Sequence, residues 1–199
     1  LVNCGSIYES WELRHWLREE GVNRLKVIIL SQVDSVHAGG LRELADNFAI
    51  DAIWIPAYAS RSPIYAELQK LSAEQQIEVK ALVAGDPLAL AKGVELEVFN
   101  PRAGRQYNST GEAALVFRLA RGPRAANFVG AGRLPSDLFR QPKDIAAPVW
   151  IMESDGWRSG VSRAVIDRRP DTIVLGGIVN INIGGNVGSD IEIWILKQQ

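Results

Sequence analysis

The amino-acid sequence predicts a layered α/β fold with a mixed or largely antiparallel sheet. Three observations carry this. A short strand apolar on both faces is followed at once by a helix in the first half of the chain. Period-two alternation takes over further on, and no repeat, low-complexity tract or linker divides the 199 residues. With 47% hydrophobic residues the chain can bury one sizeable core, and its length favours a single domain over residues 1–199.

The elements follow in order. From Ser10, read as an N-cap, the stretch WELRHWLREE places Leu13, Trp16 and Leu17 on one helical face, with His15 opposite, and stops at Gly21. Val27 to Leu30 reads as a buried strand. After Gly39-Gly40, the residues Leu41, Leu44, Ala45 and Phe48 have helical spacing, so a helix packs back over that strand. Ile53 to Ile55 is the next strand. Ser62 followed by Pro63 opens a helix carrying Ile64, Leu68 and Leu71. Val79, Ala81 and Val83 are expected to point inward from one strand. Val94, Leu96 and Val98 do likewise from another, with Glu95 and Glu97 facing out. Further strands are expected at Ala114–Leu119, Asn127–Val129, Val149–Met152, Thr172–Leu175 and Ile191–Leu196, and a helix at Ser159–Asp167. Gly184-Gly185 and Gly188 read as a hairpin turn rather than a phosphate loop, because no helix follows them and no lysine is suitably placed.

Composition narrows the function. No apolar run approaches the roughly 20 residues of a membrane span, and no signal sequence opens the chain, which reads as soluble and globular. Because it begins at Leu1, it is read as a domain cut from a longer protein. Cys4 is the only cysteine, which excludes an internal disulfide and a cysteine-based zinc cluster. Its neighbours in sequence include no base, so a packed thiol is expected. With two histidines and no GxSxG elbow, a Ser-His-Asp triad does not assemble. The net charge is −1, yet residues 1–100 carry 9 Lys/Arg against 14 Asp/Glu and residues 101–169 carry 12 against 6.

The segment LSQVDSVHAGGL, Leu30 to Leu41, sits between strand and helix and resembles the HxHxDHxGG metal loop of metallo-β-lactamase-fold hydrolases. It resembles most the HxDxDHxGG version of the ComEC-type DNA-uptake proteins. Asp34 and His37 stand at the second and fourth ligand positions, and Gln32 and Val36 at the first and third. LVNCG at residues 1–5 is similar to the family's opening "L-[ILV]-D-x-G", with Asn3 for Asp. Asn108 with ALVFRL resembles its "N-x-x-S-[LV]-V" strand. Asn127 to Ala131 resembles "x-L-L-x-G-D", with Ala131 for the bridging Asp, and Met152 to Gly156 resembles "x-x-H-H-G", with Ser154 and Asp155 for both histidines. Pro170 to Leu175 matches the strand after the next helix. The resemblance covers roughly residues 1–175 and implies an αββα sandwich, trimmed at its C-terminus or lacking residues after about 178, since the family's further helix does not fit in GGIVNINIGGNVGSDIEIWIL.

In active members two metal ions activate a water and polarise a phosphoryl or carbonyl oxygen. Each ion needs about three protein ligands. Carried onto this chain, the first would meet Gln32, Asp34 and Ala131, and the second Val36, His37, Ala131 and Ser154. One good ligand remains at each, so the resemblance implies a vestigial site and no cofactor. The alternative is a metal-dependent hydrolase, a nuclease acting on incoming DNA, using an unusual site in which Asp34, His37 and Asp155 hold Mg²⁺, Mn²⁺ or Zn²⁺. The plainer reading makes His37 a hydrogen-bonded structural residue and Asp34 the cap of the following turn.

Arg102, Arg105, Arg118, Arg121, Arg124, Arg133 and Arg140 lie, by the resemblance, around this cleft, with Trp157 at the old metal motif. Converging arginines beside a stacking indole would hold single- or double-stranded DNA without sequence preference. Arginines on a solvated sheet face are the alternative. The expectation is therefore an inactive module of a ComEC-like protein, acting in DNA contact or in assembly with that protein's transmembrane channel. It would be membrane-associated through its parent, as an extracytoplasmic domain, and would bind no small-molecule cofactor.

Overall fold

The computed structural model describes residues 1–85, 88–130, 138, 147–152, 171–175, 178–183 and 191–196. The chain divides into two compact units, Leu1–Ile55 with Ala59–Ala81 and Gly177–Gln199, and Pro56–Tyr58 with Leu82–Gly176.

The first unit holds α1 (Ser10–Glu19), β1 (Arg24–Ile29), α2 (Leu41–Asn47), β2 (Ala49–Pro56), α3 (Pro63–Gln75), β3 (Glu78–Leu82), β10 (Ile178–Ile183) and β11 (Ile191–Leu196). β1 and β2 run parallel, β3 completes their sheet, and Val2 bridges to Ile29 beside β1. Leu13 and Leu17 of α1, Leu41 and Leu44 of α2, and Leu68 and Leu71 of α3 share one core with Ile28 and Ile53. Burying each such aliphatic chain stabilises the unit by about 1.5–3 kcal/mol. α3 starts where expected: Ser62 Oγ accepts from the Tyr65 N–H at 3.1 Å, with Pro63 in the first turn. α1 begins one residue before its expected start. Ser10 lies inside the helix, its Oγ donating to the Ile7 carbonyl at 2.8 Å, and Glu9 precedes it, its carboxylate accepting from the Ser6 N–H. The chain is already turning from Ser6, so the cap moves back with it. Gly21, at φ +72°, ends the helix as predicted.

β3 corrects an expectation. Val79 and Ala81 are exposed, while Leu82 is fully buried and the Lys80 ammonium lies 5.6 Å from the Trp54 ring centroid. The larger Leu82 and the long Lys80 stem gain more by covering surface than two small side chains, and they select the opposite face. β10 and β11 pair antiparallel with Ile183 opposite Ile191, as a hairpin requires. The turn glycines and the expected helix at 159–167 fall outside the described residues.

The second unit is a six-stranded mixed sheet in the order β4 (Leu88–Ala91), β5 (Val94–Asn100), β6 (Val116–Arg121), β7 (Arg124–Val129), β8 (Val149–Met152) and β9 (Thr172–Leu175). β4 to β7 form an antiparallel meander, and β8 and β9 add in parallel. β5 alternates as expected, with Val94, Leu96 and Val98 buried and Glu95 and Glu97 exposed. Phe117 stands opposite Phe128 across β6 and β7, their rings stacked with centroids 4.7 Å apart. Trp150 is fully buried, its indole N–H donating to the Ala147 carbonyl. Gly122, at φ +57°, and Pro123 close the β6–β7 hairpin directly between Arg121 and Arg124. A positive φ at the first central residue, with proline next, is the II′ geometry that matches strand twist.

Candidate functional site

The loop of residues 31–40 leaves β1 at its carboxyl end and is fastened along residues 3–10. Asn3 adopts φ 59°, a left-handed conformation that asparagine tolerates better than most residues. From there its Oδ1 accepts from the Ser31 N–H at 2.8 Å, while its own N–H donates to the Ile29 carbonyl. The Cys4 N–H donates to the His37 carbonyl at 2.8 Å, and the Gly40 N–H to the Gly5 carbonyl at 3.0 Å. These contacts explain the glycine pair. A Cβ on Gly39 would collide with the Ser35 carbonyl oxygen and approach the Ile7 nitrogen to 2.9 Å, and one on Gly40 would lie 2.5 Å from the Cys4 oxygen. Neither neighbour can yield, because both are main chain.

Of the four ligand positions in this loop, the structure brings two together. Asp34 Oδ1 accepts from the N–H groups of Val36 and His37, each at 3.0 Å, and lies 2.6 Å from His37 Nδ1. Since the carboxylate only accepts, Nδ1 carries the proton. The plainer reading of both residues, a cap and a hydrogen-bonded histidine, is therefore what the geometry contains. Burial opposes ionisation of Asp34, but the hydrogen bonds from the His37 ring and from the two N–H groups outweigh it and hold the carboxyl below its ordinary range. Gln32 is buried. Val36 is 56% exposed and has no donor atom. Ala131, Arg133, Ser154, Asp155 and Trp157 lie outside the described residues, as does Arg140.

The described ligand positions do not fit the di-metal group that the resemblance implies. Among the described residues, no group of three His, Cys, Asp or Glu is placed to hold a metal ion. Cys4 adds no ligand: it is fully buried, and burial pushes its thiol up to about 12. His15 is on the solvated face of α1, paired with Glu19 and stacked on Trp11.

The described arginines do not converge. Arg102 and Arg105 are exposed in the loop after β5, at the end of the sheet where β7 runs out toward Ala131. Arg121 and Arg124 flank the hairpin at the opposite end, roughly 17 Å away by the length of a six-residue strand. Arg118 lies between them, ion-paired with Glu97. Sequence reasoning missed exposed apolar side chains here: Ile7, Tyr8 and Trp11, and Val36 within the loop, are large and open to solvent. The signal was present, because Ile7 and Tyr8 precede a helix without contributing to its apolar face.

Solved structures share this fold. YhfI, a metallo-β-lactamase-fold protein from Bacillus subtilis, matches with a TM-score of 0.57 at 18% identity, covering 87% of this chain and 72% of its own. A diphosphatase of the PhnP family gives 0.58 at 10% identity, covering 87% and 66%. Zn²⁺-bound PqqB from Methylobacterium extorquens gives 0.54 at 13% identity, covering 80% of this chain. The chain spans 59% of PqqB, less than two thirds of that protein's length. No family model and no curated protein matches the chain. At these identities the common property is the fold: this is a chain of the metallo-β-lactamase fold, as its loop and strand order predict. None of these similarities singles out ComEC-type proteins. Among the described residues, no helix is long and apolar enough to cross a membrane.

Proposed function

We propose that the chain is a metal-depleted metallo-β-lactamase-fold module of a ComEC-like DNA-uptake protein, retained for DNA contact or for assembly beside that protein's channel. One observation carries this reading: of the four ligand positions in the loop, Gln32 offers only a neutral amide, Val36 offers nothing, and Asp34 and His37 are bonded to each other. Such a loop is a poor transition-metal site. In this reading residues 1–199 are one extracytoplasmic domain. Support for one domain comes from the likeness to YhfI, which covers 87% of the chain, more than either compact unit contains. DNA contact is supported by the excess of basic residues over 101–169, with Arg102, Arg105, Arg121, Arg124, Arg133 and Trp157 as its proposed residues. Assembly is supported by the exposed apolar side chains Ile7, Tyr8, Trp11 and Val36.

The test is metal content of the purified protein by elemental analysis, together with nuclease assays on single- and double-stranded DNA in Mn²⁺, Mg²⁺ and Zn²⁺. The expected result is substoichiometric metal and no turnover. Stoichiometric metal with turnover abolished by Asp34→Ala would establish the hydrolase instead.

A further inference from the structure

We infer that Asp34 and His37 form a metal-independent latch, which organises the 31–40 loop at the place where the fold resemblance calls for bound ions. The inference deepens the metal-depleted reading above and rests on it. Its first support is directional. The imidazole Nδ1 faces Asp34 Oδ1 at 2.6 Å. Nε2 points away from that oxygen, so an ion bonded to Nε2 would stand about 6 Å from it, where a bond requires about 2 Å. In this arrangement one ion cannot be shared through Nε2 and the bonded carboxylate oxygen. Each side chain is turned toward the other, and chelation of one ion by Nε2 and that oxygen would require the bond between them to break.

The second support is what the pair holds. Asp34 Oδ1 gathers three N–H groups within the span Asp34–His37, closing a turn that the Asp34 carbonyl continues by accepting from the Ala38 N–H at 2.9 Å. The His37 carbonyl then receives the Cys4 N–H. The loop is thus tied to Cys4 through the residue whose ring Asp34 fixes. The ring is nearly inaccessible, with 7% of the side chain exposed, so the charge-assisted bond is sheltered from competing water on the imidazole side. Val36 projects outward at the tip, where a ligand would have to face the metal.

The experiment uses the full chain and reads amide hydrogen exchange across residues 31–40 and thermal unfolding, each with EDTA, Zn²⁺ or Mn²⁺. The variants are Asp34→Ala, Asp34→Asn, His37→Asn and His37→Gln. An asparagine amide nitrogen reaches the place of Nδ1, whereas a glutamine amide reaches toward that of Nε2. The latch predicts that EDTA changes nothing, that Asp34→Ala and His37→Gln speed loop exchange about tenfold with or without metal, and that His37→Asn restores protection. If Asp34→Ala does not fold, the comparison of His37→Asn with His37→Gln decides the question by itself. Loop exchange that rises on EDTA treatment, metal that protects the loop in wild type but not in Asp34→Ala, or equal exchange in the two His37 variants would each overturn the latch. Nuclease turnover, measured separately, tests the parent reading, so the two can fail independently.

Discussion

At the scale of single residues, Asp34 has a consequence for acid stability. Its carboxyl is held below the ordinary value of 3.8 because the bonds to His37 and to two backbone N–H groups outweigh burial. A carboxyl with a depressed folded-state pKa contributes stability that is present above its unfolded value and lost as pH falls through the folded value. Wild type should therefore exceed Asp34→Asn in stability by about 1–2 kcal/mol near neutral pH, toward the lower end because the side chain is about one-third exposed. That difference should shrink once pH drops below 3.8. Urea unfolding of both proteins from pH 7 to pH 3 measures it, and a gap that does not change over this range would show that the ionised form contributes nothing. The presence of Asp34, His37 and the glycine pair in a loop was legible in the sequence. Their bonding to each other was not, because the same spacing serves metal ligands and a closed turn equally well.

At the scale of elements, strand and helix order was legible because each local pattern agreed with its neighbours: the serine and proline opening α3, the glycine ending α1, the alternation of β5 from Val94 to Val98. The departures have physical causes. β3 presents Leu82 and Lys80 instead of Val79 and Ala81, because burial follows the partner surface and not the β-branched pattern alone. β7 starts at Arg124 and not Asn127, since the two-residue turn pairs Arg121 with Arg124 directly, and exposed hairpin ends carry no apolar period. β4 is not legible as a separate strand, for lack of a long apolar run. In the second unit the β6–β7 pair gives a direct test of packing. Phe117 is fully buried and stacks on Phe128, so Phe117→Ala should cost about 3–5 kcal/mol. A double-mutant cycle with Phe128→Ala should return a coupling of about 0.5–1.5 kcal/mol beyond area burial. Denaturant titration of the four proteins reads both quantities, and additive losses would mean that the rings pack without a specific stacking energy.

At the scale of the whole molecule, the acidic first half and basic second half set what a DNA partner would experience. Among the described arginines the groups stand at opposite ends of one sheet, Arg102 and Arg105 at one and Arg121 and Arg124 at the other. A strand of DNA lying along the sheet would reach both, and a strand confined to the loop end would reach only the first. The two arrangements differ in salt dependence, because each phosphate neutralised by a cation releases counterions and steepens the fall of affinity with salt. If both ends bind single-stranded DNA, replacing either arginine pair by alanine should reduce the slope of log affinity against log salt by about 0.7 for each phosphate no longer neutralised, and the two effects should add. If only the loop end binds, Arg102→Ala with Arg105→Ala should flatten the slope and Arg121→Ala with Arg124→Ala should leave it unchanged. Anisotropy titrations of a labelled oligonucleotide across a salt series distinguish these outcomes. Absence of binding by wild type at low salt would remove DNA as the ligand and leave assembly, through the exposed Ile7, Tyr8, Trp11 and Val36, as the role to pursue.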